Sequence, residues 1–323
     1  MIKEKQQKIS VIMPLQEIDA YVHESVSALL KQEYPDFELI MLPNSRVSNK
    51  WGRRVKIFPT GNIQPAEKRN LGARKARGSI LAFIDDDAYP ADRNWFARAA
   101  AHFKASREVG AVGGPNLTPR EDGTFQVVCG EVLASPLFSG PASKRYRRAK
   151  AGPYHDLPSC NLFVEKKVFN DIGGFYPRFW PGEDTKLCAD ILRQGKRVLY
   201  HPDILVYHHR RKGWEGYVRQ TFRFGLHRGY FMKLFPYTSL KPVFFLPLLF
   251  VLFLLFGPWL AFIHPFFLYT YTSLLLLYAL LVGFAAAASR HWATIPLFMF
   301  IGFATHVAYG IGVAVGLITS AEQ

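Results

Sequence analysis

Ser79-Ile80-Leu81-Ala82-Phe83-Ile84-Asp85-Asp86-Asp87-Ala88-Tyr89-Pro90 is the stretch around which the chain is organised. A short apolar run bounded by turn residues suits a strand covered on both faces, so Ile80 to Ile84 predicts a buried strand. Its C-terminal end carries three consecutive carboxylates, at the edge where open α/β sheets take their ligands. Three adjacent acids repel one another unless they are solvated or neutralised by a cation or basic side chains. An Asp-x-Asp pair, here Asp85 and Asp87, can offer oxygens to a hard cation that also holds a diphosphate. A solvated acidic turn is the plain alternative.

On either side of this segment, strands and helices alternate. Ile9 to Pro14 predicts a first strand, and Tyr21 to Gln32 an amphipathic helix with apolar residues at Val22, Val26, Leu29 and Leu30. Phe37 to Leu42 and Val55 to Phe58 predict two further strands. Pro65 to Arg77 predicts a helix with proline near its start and Gly78 beyond its end. After the acidic strand come a helix from about Asn94 to Ser106 and a strand at Val109 to Gly113. Asn161 to Val164 and Arg197 to Tyr200 predict strands, Lys166 to Ile172 and Thr185 to Gln194 predict helices, and Ile204 to Tyr207 leads into His208-His209. This alternation predicts a mostly parallel α/β sheet. Pro115 to Pro158 has no clear period, and its run Lys144 to Lys150 is either a solvated face or a contact for phosphate or membrane.

The 323 residues carry a net charge of +15, and from Pro242 onward the only charged residues are Arg290 and Glu322. The basic excess therefore lies in the first 241 residues and favours anionic partners: phosphates, nucleic acid or a membrane surface. The three cysteines, Cys129, Cys160 and Cys188, have no metal-like or paired spacing and suit a reducing compartment. No secretory signal is expected, because Met1 to Lys8 is polar and the apolar stretch after it is short.

Gly213 to Phe235 interleaves aromatics with Arg219, Arg223, His227, Arg228 and Lys233, which suits a helix in a membrane interface or stacking on single-stranded nucleic acid. The C-terminal quarter of the chain favours the membrane. Val243 to Ile263, Pro265 to Ala288 and Thr294 to Ile318 contain no charged residue, and each reaches the about 20 residues a bilayer requires. Arg290 and His291 place the loop between the second and third spans in the cytoplasm by the positive-inside rule. The N-terminal domain is then cytoplasmic, and the C-terminus lies outside. The expected domains are 1–212 as the α/β domain, 213–241 as the interfacial segment and 242–323 as the three-span region.

Several ordered motifs resemble family 2 glycosyltransferases with a GT-A fold. They are strand one ending at Pro14 with Glu17 after it, Lys68-Arg69-Asn70-x-Gly72 before the acidic strand, and Gly173-Gly174-Phe175 before Gly182-Glu183-Asp184. The resemblance covers roughly residues 9 to 228 and implies a GT-A mixed, mostly parallel sheet. It implies that Pro14, Glu17 and Asn44 hold the base and ribose of a nucleotide-sugar donor. Relatives usually carry aspartate where this chain has Pro43-Asn44-Ser45. Lys68 and Arg69 would help bind the diphosphate, against a plain role as a solvated helix face. Asp85 would lie near the nucleotide sugar, and Asp87 with His208, or His209, would bind Mg²⁺ or Mn²⁺. Adjacent strand residues point to opposite faces, so one histidine at most serves, and His208 is chosen. Asp184 would be the general base, and Glu183 beside it would help bind acceptor or diphosphate. Gln220, Arg223 and Phe224 are similar to a Gln-x-x-Arg-Trp motif, with Phe in place of Trp, that faces acceptor and diphosphate.

The implied activity is inverting transfer of a sugar, UDP-linked by expectation, to a hydroxyl of a lipid-linked saccharide or glycolipid at the cytoplasmic membrane face. Nucleic acid is not an expected partner, and the oligomer is left open. Transfer to a polyprenyl phosphate, nucleotidyl transfer and a non-enzymatic membrane scaffold are the competing expectations.

Overall fold

The computed structural model describes residues 7–288 and 292–319. Arg290 and His291, on which the orientation of the spans rests, lie outside the described residues, as do Ser320 to Gln323. The chain forms two compact units. One comprises residues 1–119 and 147–209, the other residues 120–146 and 210–323.

The strands are β1 Ile9–Pro14, β2 Phe37–Leu42, β3 Val55–Ile57, β4 Ile80–Phe83, β5 Ala88–Pro90, β6 Val109–Gly113, β7 Asn116–Leu117, β8 Gly152–Pro153, β9 Leu162–Glu165, β10 Arg197–Tyr200 and β11 Val206–His208. The helices of the first unit are α1 Ala20–Leu30, α2 Pro65–Lys75, α3 Trp95–Ala105, α6 Lys166–Asp171 and α7 Glu183–Arg193. Those of the second are α4 Thr124–Ala134, α5 Pro136–Ser139, α8 Trp214–Leu234, α9 Pro236–Ser239, α10 Leu246–Ala261, α11 Pro265–Ala287 and α12 Ile295–Ile318.

In the first unit, eight strands run in the order β3-β2-β1-β4-β9-β6-β10-β8. β1 pairs in parallel with both β2 and β4, and β2 with β3. β9 lies antiparallel between β4 and β6. β1, β2 and β4 are buried along their whole length, as their unbroken apolar runs require. Separate apolar cores cover the two faces. Residues of α1 and α3 pack on one, and residues of α2, α6 and α7 on the other. Gly72 on α2 sits hard against β1, where a Cβ would come within 2.5 Å of the Ile12 side chain. This is the GT-A type of mixed sheet.

A second sheet, β5-β11-β7, joins strands of two or three residues, too short to show a period in sequence. It brings the turn after β4 and the end of the first unit together: His208 lies opposite Ala88 in the antiparallel pair β5–β11.

The expected α/β domain of 1–212 includes residues 120–146, but these belong to the second unit. α4 is an apolar 11-residue helix whose Val128, Cys129 and Val132 join a core with Phe298 and Ile301 of α12. Chain order hides this assignment because the apolar residues of α4 face a segment far along the chain. The second unit holds three stretches long and apolar enough to cross a membrane by length and composition: Pro242–Ala261, Pro265–Ala287 and Trp292–Ile318. α8 and α12 approach to backbone contact. A Cβ on Gly225 would lie 2.2 Å from the Tyr309 carbonyl, and one on Gly312 would lie 2.2 Å from that of Phe222.

Candidate active site

Because β1, β2 and β4 are parallel neighbours, Pro14, Asn44 and Asp85 fall at one edge of the sheet. Glu17 is exposed just beyond Pro14. α2 projects Lys68 and Arg69 towards the same edge, and neither side chain forms a solvated helix face. Both are buried. Lys68 Nζ donates to the Leu15 carbonyl and to Asn44 Oδ1, which ties the ends of β1 and β2 together. Burial lowers the Lys68 pKa, with the Asp86 carboxylate opposing that shift.

Arg69 has an arrangement that spacing does not reveal. Its Nη1 donates to Glu183 Oε1 at 2.7 Å and its Nη2 to Asp85 Oδ1 at 2.6 Å. One guanidinium therefore bridges the acidic strand end and the first turn of α7. Side-chain exposure is 4% for Arg69, 4% for Glu183 and 27% for Asp85, so the Glu183 half of the bridge is the drier. Burial pushes the Glu183 carboxyl above its ordinary range, and Arg69 opposes the shift only in part.

Asp85, Asp87 and His208 each present a ligand atom within 4.8 Å of the others. The β5–β11 pairing explains how residues so far apart in the chain meet, and His209 N donates to the Asp87 carbonyl at 3.0 Å across the same pair. His208 Nε2 lies 2.9 Å from Asp87 Oδ1. His209 turns the other way: it pairs with Glu24 at 2.9 Å and stacks on Tyr21 at 4.1 Å between centroids. Burial works against a charged His208, but Asp87 and Cys160 together outweigh it and raise the pKa to about 10. Two carboxylate oxygens and an imidazole nitrogen in one half-buried cluster form a donor set that fits Mn²⁺ or Mg²⁺.

Asp86 stands outside this group of three. Burial first, then Asp87 and Asp85, push its pKa up to about 7.

α7 begins at Glu183, two residues earlier than its apolar pattern predicts. Both acids consequently lie in the first helical turn, where the exposed N–H groups favour negative charge. Asp184 Oδ1 accepts from Thr185 N at 2.7 Å, and Thr185 Oγ1 donates to Asp156 Oδ1 at 2.6 Å. Asp156 is buried, with 5% exposure. It sits in the stretch without a period, so no spacing signal points to it.

Gln220, Arg223 and Phe224 lie on α8 in the second unit. Their spacing of three and four residues puts them on one helix face. Arg223 is exposed, and Gln220 and Phe224 are half-buried.

The model of the glycosyltransferase-like family 2 matches residues 6–225. The chain belongs to that family. Among curated proteins it is similar to the O-antigen biosynthesis protein RfbC of Myxococcus xanthus, at 27% identity over 62% of this chain and 17% of that protein. It is also similar to the pre-mycofactocin glycosyltransferase of Mycobacterium tuberculosis, at 30% identity over 49% of this chain and 33% of that protein. The chain thus spans a third or less of the length of these relatives. Among solved structures, the mannosyltransferase PcManGT from Pyrobaculum calidifontis, in complex with GDP-Man and Mn2+, matches with a TM-score of 0.59. That match has 17% identity and covers 96% of this chain and 88% of the other. GalNAc-T7 with UDP, GalNAc and Mn2+ matches with a TM-score of 0.50 and 19% identity, over 74% of this chain and 52% of the other. These likenesses show the GT-A fold.

Proposed function

We propose that the chain is a membrane-bound, metal-dependent inverting glycosyltransferase. It moves a sugar from a nucleotide-diphosphate donor to a hydroxyl of a lipid-linked saccharide or glycolipid, with its catalytic unit at the cytoplasmic face. The reading fits a role in cell-envelope or exopolysaccharide synthesis. The observation that carries it is the Arg69 bridge, which links the Asp85–Asp87–His208 group to the helix turn bearing Asp184.

In this reading Pro14, Glu17 and Asn44 border the donor's base and ribose, with Lys68 holding Asn44 in place. A divalent cation bound to Asp85, Asp87 and His208 would supply neutralisation of the leaving diphosphate. Asp184 takes the proton from the acceptor hydroxyl as its oxygen attacks the anomeric carbon. The bond from that carbon to the donor phosphate oxygen breaks, and the electron pair leaves with the nucleoside diphosphate. Attack opposite the leaving group inverts the anomeric configuration. Thr185 holds the Asp184 carboxylate and Asp156 anchors Thr185. The spacing of Gln220, Arg223 and Phe224 on one face of α8 supports a role for them in taking the acceptor.

Purified protein is tested with UDP-, GDP- and dTDP-linked sugars, with and without Mn²⁺, against Asp184→Asn and Asp87→Ala. Asp184→Asn is expected to lower kcat by about 10²-fold or more, the scale of a general base. Equal kcat in wild type and Asp184→Asn removes Asp184 as the base. Release of pyrophosphate from a nucleoside triphosphate would instead favour nucleotidyl transfer.

A further inference from the structure

All three apolar helices are long and apolar enough to cross a membrane, but the structure buries them to different extents. Of the most apolar window, 11% is buried in Pro242–Ala261 and in Pro265–Ala287, against 50% in Trp292–Ile318. α10 and α11 form an antiparallel hairpin, with Phe253 against Tyr271 at 4.8 Å and Phe250 against Tyr278 at 4.4 Å. α12 instead runs beside the basic helix α8, and in the same direction. Tyr217 OH meets Thr305 Oγ1 at 2.8 Å, Gly225 abuts Tyr309, and Lys233 Nζ donates to the carbonyls of Leu317 and Thr319. α12 also packs on the half of the hairpin nearer the start of α10 and the end of α11: Gly310 abuts Pro247, Phe303 and His306 lie against Phe250, Tyr278 OH meets His306 Nδ1 at 3.1 Å, and Phe298 and Ile301 share a core with Val282 and Ala286.

This parallel register fixes the tilt of one helix by the tilt of the other. Were α12 to cross the bilayer, α8 would stand upright with it. The cations from Arg219 to Lys233 would then be spread over about 21 Å of depth at 1.5 Å per residue, within a hydrocarbon layer of about 30 Å. Lying flat, α8 keeps all of them at headgroup level, where anionic lipid favours them. α12 offers lipid the same geometry. Its exposed large side chains, Phe300, Phe303, Ile311 and Ile318, fall on one stripe at 100° per residue.

We infer that only α10 and α11 cross the membrane. α8 and α12 form a two-helix platform lying in the cytoplasmic interface of an anionic bilayer, and the chain's last residues lie on the same side as the catalytic unit. This replaces the third crossing and the external C-terminus expected from hydropathy. It is independent of the reaction assigned to the first unit, whose donor turnover is measured separately.

Two measurements on the full chain in sealed vesicles containing anionic lipid test it. Tags before Met1 and after Gln323 are expected to be digested by added protease from the same side, while a His264→Cys variant is labelled only from the other. Tags digested from opposite sides, or His264→Cys labelled from the catalytic side, overturn the inference. In the second, Phe300→Cys, Ile311→Cys and Ile318→Cys carry nitroxide labels, with wild type as control because Cys129, Cys160 and Cys188 are buried. Equal depths within about 5 Å are expected. A crossing helix spreads these sites over about 27 Å, and a gradient above about 15 Å refutes the platform.

Discussion

Arg69→Met removes the guanidinium that bridges Glu183 and Asp85. The Arg69–Glu183 pair has 4% side-chain exposure on both partners, so little water is available to replace the guanidinium. Removing one partner of a buried pair costs about 3–5 kcal/mol, because the other charge stays buried and unpaired. For a domain of this size that corresponds to about 6–20 °C in Tm. The loss also has a pH signature. Burial already raises the Glu183 pKa above its ordinary 4.5, and Arg69 is the group that restrains the shift. Without Arg69 the folded-state pKa rises further, so the native state binds more protons here than the unfolded chain. Stability of the variant therefore falls as pH rises from about 4.5 through neutrality, more steeply than that of wild type. Arg69→Met/Glu183→Gln should recover a substantial part of the loss, since an uncharged amide replaces the stranded carboxylate. Thermal unfolding in detergent micelles, followed by tryptophan fluorescence between pH 5 and 8, measures all of this. A Tm drop below about 2 °C for Arg69→Met, or no recovery in the double variant, would refute the bridge as a buried electrostatic joint.

The two adjacent histidines should separate by assay. His208→Ala is expected to weaken Mn²⁺ affinity, read as a raised metal concentration for half-maximal donor turnover, by about 10-fold or more, the lower end of what loss of a metal-supporting group costs. His209→Ala should leave that midpoint unchanged and lower Tm, because His209 serves Glu24 and Tyr21. Thr185→Val removes the hydroxyl bonded to Asp156 while keeping side-chain shape. It should lower kcat with little change in donor KM, and Thr185→Ser should restore most of it; equal loss in both variants would argue against the hydroxyl as the positioning group.

Chain order is most informative where residues adjacent in sequence also act together in chemistry. An unbroken apolar run such as Ile80 to Ile84 must be covered on both faces, and three acids at its end must meet solvent or a counter-charge. That logic locates the sheet edge and points to Asp85 and Asp87 without knowledge of any contact. First-turn acids at Glu183 and Asp184 are equally visible, to within two residues of the helix start.

Sequence alone thus settles local matters: which segments are apolar with which period, and where charge interrupts them. Everything that depends on which distant segments meet comes from the folded chain. The β5–β11 pairing selects His208 over His209, since a strand can aim only one of two neighbours at Asp87. The meeting of α2 with the first turn of α7 turns Arg69 from a candidate solvated cation into a bridge between carboxylates. Thr185 acquires a partner in Asp156 from a stretch with no period at all. Hydropathy measures the cost of placing a helix in water and carries no direction, so all three apolar helices qualify as spans by it. How they pack exists only after folding: α12 runs along α8, whereas α10 and α11 pair with each other.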